Sequence, residues 1–265
     1  MTDLLEVRDV GFGYDASQQV LVNATLSVAP HTVCGILGPN GAGKSTLARL
    51  AAGVFQPRSG TVQVAGKDLR TTGGATRARL VRVSFQTPEH ELFRRTLGAE
   101  LDWEASLLGI QPREMRERTM SLLADSGADV SLDTHPYDLD PWQRKLFANL
   151  SALAVPGRLV ILDEPTLRLG QRLRTRLGAA LRNYVAAGGA VVLVTHDHEF
   201  AAAACDTIAV VKGGRIDRSG PVRPTLEGAA GHAATNIYSF PSFYLDRAVR
   251  RSPKLPGEIG KTLRV

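Results

Sequence analysis

Residues 38–45 read Gly-Pro-Asn-Gly-Ala-Gly-Lys-Ser, and this stretch constrains the fold more than any other. It fits the pattern G-x-x-x-x-G-K-[S/T], which acts only when it leaves a strand and opens a helix. The flanks suit that context. Val33-Cys34-Gly35-Ile36-Leu37 is an apolar run of strand length, and Lys44 to Ala52 reads as a helix. Glycines let successive backbone N–H groups turn inward around phosphate oxygens, and the positive end of the next helix adds to the attraction. Lys44 then supplies a point charge for the outer phosphates, and Ser45 a hydroxyl ligand for Mg²⁺.

Two further apolar runs have the same character: Leu159-Val160-Ile161-Leu162, followed by Asp163-Glu164, and Ala190-Val191-Val192-Leu193-Val194, followed by Thr195-His196-Asp197. Strands apolar on every side belong to a parallel sheet covered on both faces. Open sheets of this kind bind ligands beyond the carboxyl ends of their strands, so the three endings should meet at one site. Asp163 suits Mg²⁺, which favours carboxylate and water oxygens, and Glu164 can orient or deprotonate an attacking water. His196 is placed to meet the terminal phosphate.

The fold class read here is α/β: a P-loop NTPase core of mostly parallel sheet, with an antiparallel β layer and an inserted helical subdomain. EVRDVGFGY, ATLSVAP, Gly60 to Val64 and Leu80 to Phe85 read as strands of the antiparallel layer. Leu169 to Val185 reads as a helix whose arginines form a solvated face. Ile208 to Lys212, Gly213-Gly214 and Arg215-Ile216 read as a hairpin. The helical insertion spans about 89–155 within a domain of 1–220. From Pro221 the chain gains prolines and loses periodicity, so 221–265 reads as a C-terminal extension with an aromatic clump at Tyr238, Phe240, Phe243 and Tyr244.

Composition matters mainly for what it excludes. The net charge of +6 contains no dense Lys/Arg run, so no nucleic-acid partner is expected. No apolar run approaches the roughly 18 residues of a spanning helix, and the first residues lack a signal-peptide pattern. Cys34 and Cys205 read as small buried hydrophobes, in keeping with a reducing compartment.

GPNGAGKST, FQTPE, LVILDEPT and VTHD, in that order, resemble the ATP-binding subunits of ABC transporters over roughly Leu4 to Arg218. The resemblance implies ATP and Mg²⁺ as ligands. ATP would be held by Gly38, Pro39, Asn40, Gly41, Ala42, Gly43, Lys44, Ser45 and Thr46, and the metal by Ser45, Gln86 and Asp163. It implies that Tyr14 stacks on adenine, that Gln86 links the metal and attacking water to a membrane subunit, that Glu164 is the catalytic carboxylate, and that His196 is the switch histidine. Glu164, His196, Lys44 and Gln86 thus form the expected catalytic set. The implied partners are a transmembrane transporter subunit and a second ATPase subunit, with the chain peripheral on the cytoplasmic face of the cell membrane.

Family members hold each ATP between one subunit's phosphate loop and the other's signature segment, usually LSGGQ. Here Leu139-Asp140-Pro141-Trp142-Gln143 stands in its place, and Gly170 replaces an aspartate that usually crosses the dimer interface. Asp140 would bring a negative charge toward a polyanion, a repulsion of about 1 kcal/mol in water and about 4 kcal/mol at an effective dielectric of ~20. Pro141 removes a backbone donor. A heterodimer with a partner carrying an intact signature is therefore favoured over a homodimer. Gln86, Pro88, Glu89, Leu92, Phe93 and Thr96 also resemble the ATPases of energy-coupling-factor importers, which take up vitamins or transition-metal ions. Two other classes stay open on sequence: a soluble ABC-type ATPase acting on nucleic acid or the ribosome, and a non-hydrolysing regulatory ATP-binding module.

Overall fold

The computed structural model describes residues 3–15 and 17–230. Strands β1 (Leu5–Phe12) and β2 (Leu21–Val28) alternate buried and exposed residues, and β3 (Val33–Leu37) is buried throughout. Helix α1 (Lys44–Ala51) leaves β3 through the glycine-rich loop. Then come β4 (Ser59–Val64), the short β5 (Lys67–Asp68), α2 (Gly74–Leu80) and β6 (Val81–Ser84). Helices α3 (Leu97–Leu108), α4 (Pro112–Ser126) and α5 (Pro141–Leu153) fill the interval before β7 (Leu159–Asp163). Helix α6 (Gln171–Ala186), β8 (Ala190–Val194), α7 (His198–Ala204), the hairpin β9 (Thr207–Lys212) and β10 (Arg215–Pro221), and α8 (Val222–Ala230) complete the described chain.

Two sheets result. The smaller has the order β2-β1-β4-β5 and is antiparallel; the larger has the order β10-β9-β3-β8-β7-β6. In the larger, only the β9–β10 pair is antiparallel. The period of two in strand side chains divides its residues cleanly. Leu159, Ile161, Val192, Val194, Cys34 and Ile36 join the apolar layer shared with α1 and the antiparallel sheet. Val160, Leu162, Val191, Leu193, Val33 and Leu37 join the layer under α3 to α7. That is why β3, β7 and β8 are apolar on both faces. The helical insertion has no separate core: Leu101, Met115 and Phe147 belong to the same apolar cluster as the sheet residues. Truncating the fully buried Phe147 to Ala would cost about 3–5 kcal/mol.

The structure differs from the sequence reading in two places. Residues 81–84 do not join the antiparallel layer; β6 is the parallel edge strand of the main sheet, in register with Leu159 to Leu162. Its alternation of valine and polar residues mimics a half-exposed antiparallel strand. Arg82 is accommodated because Glu104 of α3 pairs with it at 2.6 Å. After Pro221 the chain does not lose regular structure at once. Helix α8 runs to Ala230, with Pro224 in its first turn, where a missing N–H costs little. The aromatic clump at 238–244 lies outside the described residues.

Among the described residues, no helix is long and apolar enough to cross a membrane. Cys34 and Cys205 are free and buried, and burial pushes both thiols up, Cys34 to about 11.

Candidate active site

The glycine-rich loop is held from outside as well as by its own geometry. Gly38 has φ +151°, and a Cβ there would lie 2.2 Å from the Val211 carbonyl oxygen of β9. The turn of the β9–β10 hairpin closes over the loop: Gly214 N–H donates to Ala42 O (3.2 Å), and Gly214 O accepts from Val22 N of β2 (2.8 Å). By contrast, Gly41 (φ +76°) faces open space, with nothing within 4 Å of a would-be Cβ. The loop is therefore packed tightly on the sheet side and clear on the other, as a phosphate cradle must be.

Lys44 begins α1 and is only 8% exposed. Its Nζ donates to Gly38 O (2.9 Å) and Pro39 O (3.0 Å). Burial lowers its pKa, while Glu164 and Asp163 oppose that shift. Asp163, the last residue of β7, is 3% exposed, and Ser45 Oγ lies 3.5 Å from its Oδ1. Burial raises the Asp163 carboxyl above the usual range. A hydroxyl and a carboxylate oxygen side by side at the mouth of an anion cradle fit a hard divalent cation.

Glu164 follows with φ +50°, a left-handed backbone that non-glycine residues rarely adopt. Its N–H donates to Val194 O (2.8 Å), which carries the β7–β8 ladder one residue past the strand end. Its carboxylate is gripped from β8. Thr195 Oγ1 donates to one oxygen (3.2 Å), His196 N–H lies 3.4 Å from the same oxygen, and His196 Nδ1 is 2.9 Å from the other. The imidazole itself is largely exposed. Asp197 fixes this loop from behind: it caps α7 by accepting from Phe200 N (2.9 Å) and pairs with Arg174 of α6 (2.7 Å). Arg174 is thus partly exposed and tied to this loop, whereas Arg168, Arg172 and Arg176 are exposed.

These groups open onto one cleft of about 650 Å³, lined among others by Tyr14, Asn40, Gly41, Gly43, Lys44, Ser45, Thr46, Gln86, Glu164 and His196. Asp163 sits just beneath the lining, reached through Ser45. Gly38, Pro39 and Ala42 are not part of the lining; their carbonyls accept from Lys44 and from the hairpin. Tyr14 stands at the rim, 55% exposed, its hydroxyl 2.9 Å from Thr46 Oγ1. Its ring meets Phe12 and Phe55 edge-on, at centroid distances of 5.3 and 5.7 Å. Gln86, exposed just past β6, faces the loop across the cleft.

Sequence reasoning did not single out Gln18, Val20 and Arg49, which also line the cleft, nor Thr195. It also missed Lys145 and Asn149 of α5, which lie buried against the strand ends. Lys145 Nζ donates to Asp163 O (2.8 Å), and Asn149 Nδ2 donates to Pro165 O (3.0 Å). The available signal was two polar residues on the apolar face of a helix.

Leu139–Gln143 does not line this cleft; it starts α5 elsewhere on the surface. Asp140 is the exposed N-cap, Pro141 takes the first helical position, and Gln143 Oε1 accepts from the Asp140 amide (3.0 Å). Arg144 buttresses the approach to the helix by donating to Pro136 O (2.8 Å) and Leu139 O (3.1 Å). Gly170 is the exposed N-cap of α6.

The sequence profile of the ABC transporter family matches residues 21–167, more than half of the 265 residues. An ABC transporter ATP-binding protein of Streptomyces coelicolor is 32% identical over 225 residues, covering 84% of this chain and 79% of that protein. A solved ATP-binding subunit of an ABC transporter superimposes with a TM-score of 0.78 at 26% identity, covering 93% of this chain and 98% of the other. The chain also shares its fold with cbiO1 of Clostridium perfringens, described as part of the ABC transporter complex cbiONQ. That likeness has a TM-score of 0.71 at 23% identity, over 88% of this chain and 96% of that one.

Proposed function

The chain belongs to the ABC transporter family as an ATP-binding subunit with ATPase activity, and from that premise we propose how its own residues hydrolyse ATP and what it serves. The observation that carries the proposal is the meeting of Lys44, Ser45, Glu164 and His196 around one cleft, with Asp163 bonded behind Ser45.

Gly38 to Thr46 bind the triphosphate, and Lys44 faces its outer phosphates. Tyr14 offers its exposed ring to the adenine. Ser45, Asp163 and Gln86 would hold Mg²⁺, whose positive charge would offset that of the phosphates. Glu164 orients and deprotonates the attacking water. Its aim is fixed by the left-handed backbone and by the bonds from Thr195 and His196. His196, with Nδ1 on Glu164 and its ring exposed, can turn its other nitrogen to the transferring group; Lys44 and this imidazole stabilise the charge there. Glu164→Gln should reduce turnover by about 100-fold or more while leaving ATP bound. Turnover within a factor of three of the parent chain would remove Glu164 from this role.

For the assembly, we infer a transporter of the energy-coupling-factor type, importing a small solute, with the chain paired to a different ATPase subunit. The sequence run from Gln86 to Thr96 supports the importer type. The α5 start supports unlike partners: its carboxylate, proline and Gln143 already occupy the helix end that would face the partner's nucleotide. Purification of the chain from its host should recover a transmembrane subunit and a second ATPase carrying an intact signature. Recovery of this chain as the sole ATPase would show a homodimer.

A further inference from the structure

Lys145 has no part in the site as described so far, yet it is 2% exposed and sits one helical turn from the α5 start. A buried ammonium is retained only where acceptors replace its water. Its acceptors come from two different strand ends. Nζ donates to the carbonyl of Asp163 (2.8 Å), to the carbonyl of Phe85, and weakly to Ser84 Oγ (3.4 Å). One turn further along α5, Asn149 repeats the pattern: Oδ1 accepts from Ser84 Oγ (3.0 Å), and Nδ2 donates to Pro165 O (3.0 Å). Glu91 closes the arrangement by accepting from Phe85 N–H, so both main-chain groups of the residue before Gln86 are held. Burial lowers the Lys145 pKa and raises that of Glu91, and each group's charge opposes the other's shift.

β6 and β7 are already paired through Ser84 and Leu162, but the ladder stops there. Beyond it one chain leads to Gln86 and the other to Asp163 and Glu164. Lys145 bonds to both main chains there, at Phe85 O and Asp163 O, while Asn149 links Ser84 to Pro165. We propose that Lys145 is a positioning residue for ATP hydrolysis: its ammonium fixes the main chain entering Gln86 against the strand end carrying Asp163 and Glu164. The proposal rests on the nucleotide site assigned above.

The competing explanation is that Lys145 merely balances the charge of Glu91. Two variants separate them. Lys145→Met keeps the length and apolar stem but loses every donor. Lys145→Met with Glu91→Gln also removes the carboxylate charge while leaving an amide oxygen for Phe85 N–H. Each full-length chain is assembled in the transporter complex purified from its host. Its melting midpoint, its affinity for a fluorescent ATP analogue with Mg²⁺, and its kcat are then measured. The single variant should lose about 10- to 100-fold in kcat with nucleotide affinity changed less than about threefold, the signature of misaligned reacting groups. The double variant should regain most of the melting midpoint while kcat stays low. A kcat within twofold of the parent in either variant overturns the proposal. So does a loss of affinity as large as the loss of kcat. Should the single variant fail to fold, the double variant decides by the same criteria, and failure of both to fold assigns Lys145 to folding alone and also overturns it. Glu164→Gln serves as the control: if it hydrolyses ATP normally, the site assignment itself is wrong, whatever Lys145 does.

Discussion

The chain presents two ends of helices to nucleotide chemistry, and they are built in opposite ways. The α1 start is made of glycines in left-handed conformations and a buried Lys44, and the adjoining end of β7 leads into Glu164 with its left-handed backbone. Nothing from the chain fills the space beyond Gly41. The α5 start carries an N-cap carboxylate, a proline in the first turn and a returning glutamine. It is a relaxed, self-satisfied helix end, with its own anion already in place. The difference teaches that an open loop of left-handed glycines leaves room for an outside anion, whereas a capped helix end supplies its own. At α5 the helix end is satisfied by the chain's own Asp140 and Gln143.

That contrast can be broken or sharpened by substitution. The largest effect should come from Gly38→Ala: a Cβ 2.2 Å from Val211 O at φ +151° should cost about 3–5 kcal/mol, read as a drop of about 10 °C in the melting midpoint. Lys44→Ala should weaken ATP binding by about 100-fold, the worth of a buried charge-assisted contact, with the fold retained; calorimetric titration measures it. Rebuilding the α5 start with Asp140→Ser, Pro141→Gly and Trp142→Gly should raise ATP hydrolysis by the isolated chain by about tenfold while its nucleotide affinity stays within twofold. No gain in a chain that still folds would show that the α5 start does not limit the isolated protein. Asp140→Ala should cost about 1 kcal/mol of stability and leave ATP affinity unchanged. The smallest effect should be Gly41→Ala on stability: about 1 kcal/mol from backbone strain, since no atom blocks the methyl group, with any larger penalty confined to nucleotide binding.

Much of the architecture was legible because its causes are local. A strand apolar on both faces announces itself, and the glycine-lysine-serine order of the loop admits few other readings. The convergence of Lys44, Asp163 and His196 followed from parallel strands whose ends carry polar groups. β6 was misassigned because Val81-Arg82-Val83-Ser84 carries an edge-strand pattern, and pattern alone does not say which sheet the edge belongs to. Lys145 was easy to pass over for a different reason. A lysine in a helix reads as a surface residue, and its burial arises from Ser84, Phe85 and Asp163, which lie about 60 and 18 positions away in the chain. The grip of Thr195 and His196 on Glu164 likewise depends on β7 and β8 being neighbours, which no local pattern encodes.

The hairpin that closes over the phosphate loop has a consequence for how nucleotides are exchanged. With Gly38 pressed on β9 and Ala42 tied to Gly214, the cradle has little freedom to widen or reshape itself around a different anion. ADP and ATP must therefore be received by an almost invariant seat. ATP differs from ADP by its terminal phosphate, so telling one from the other falls to the groups proposed to meet that phosphate, Glu164 and His196.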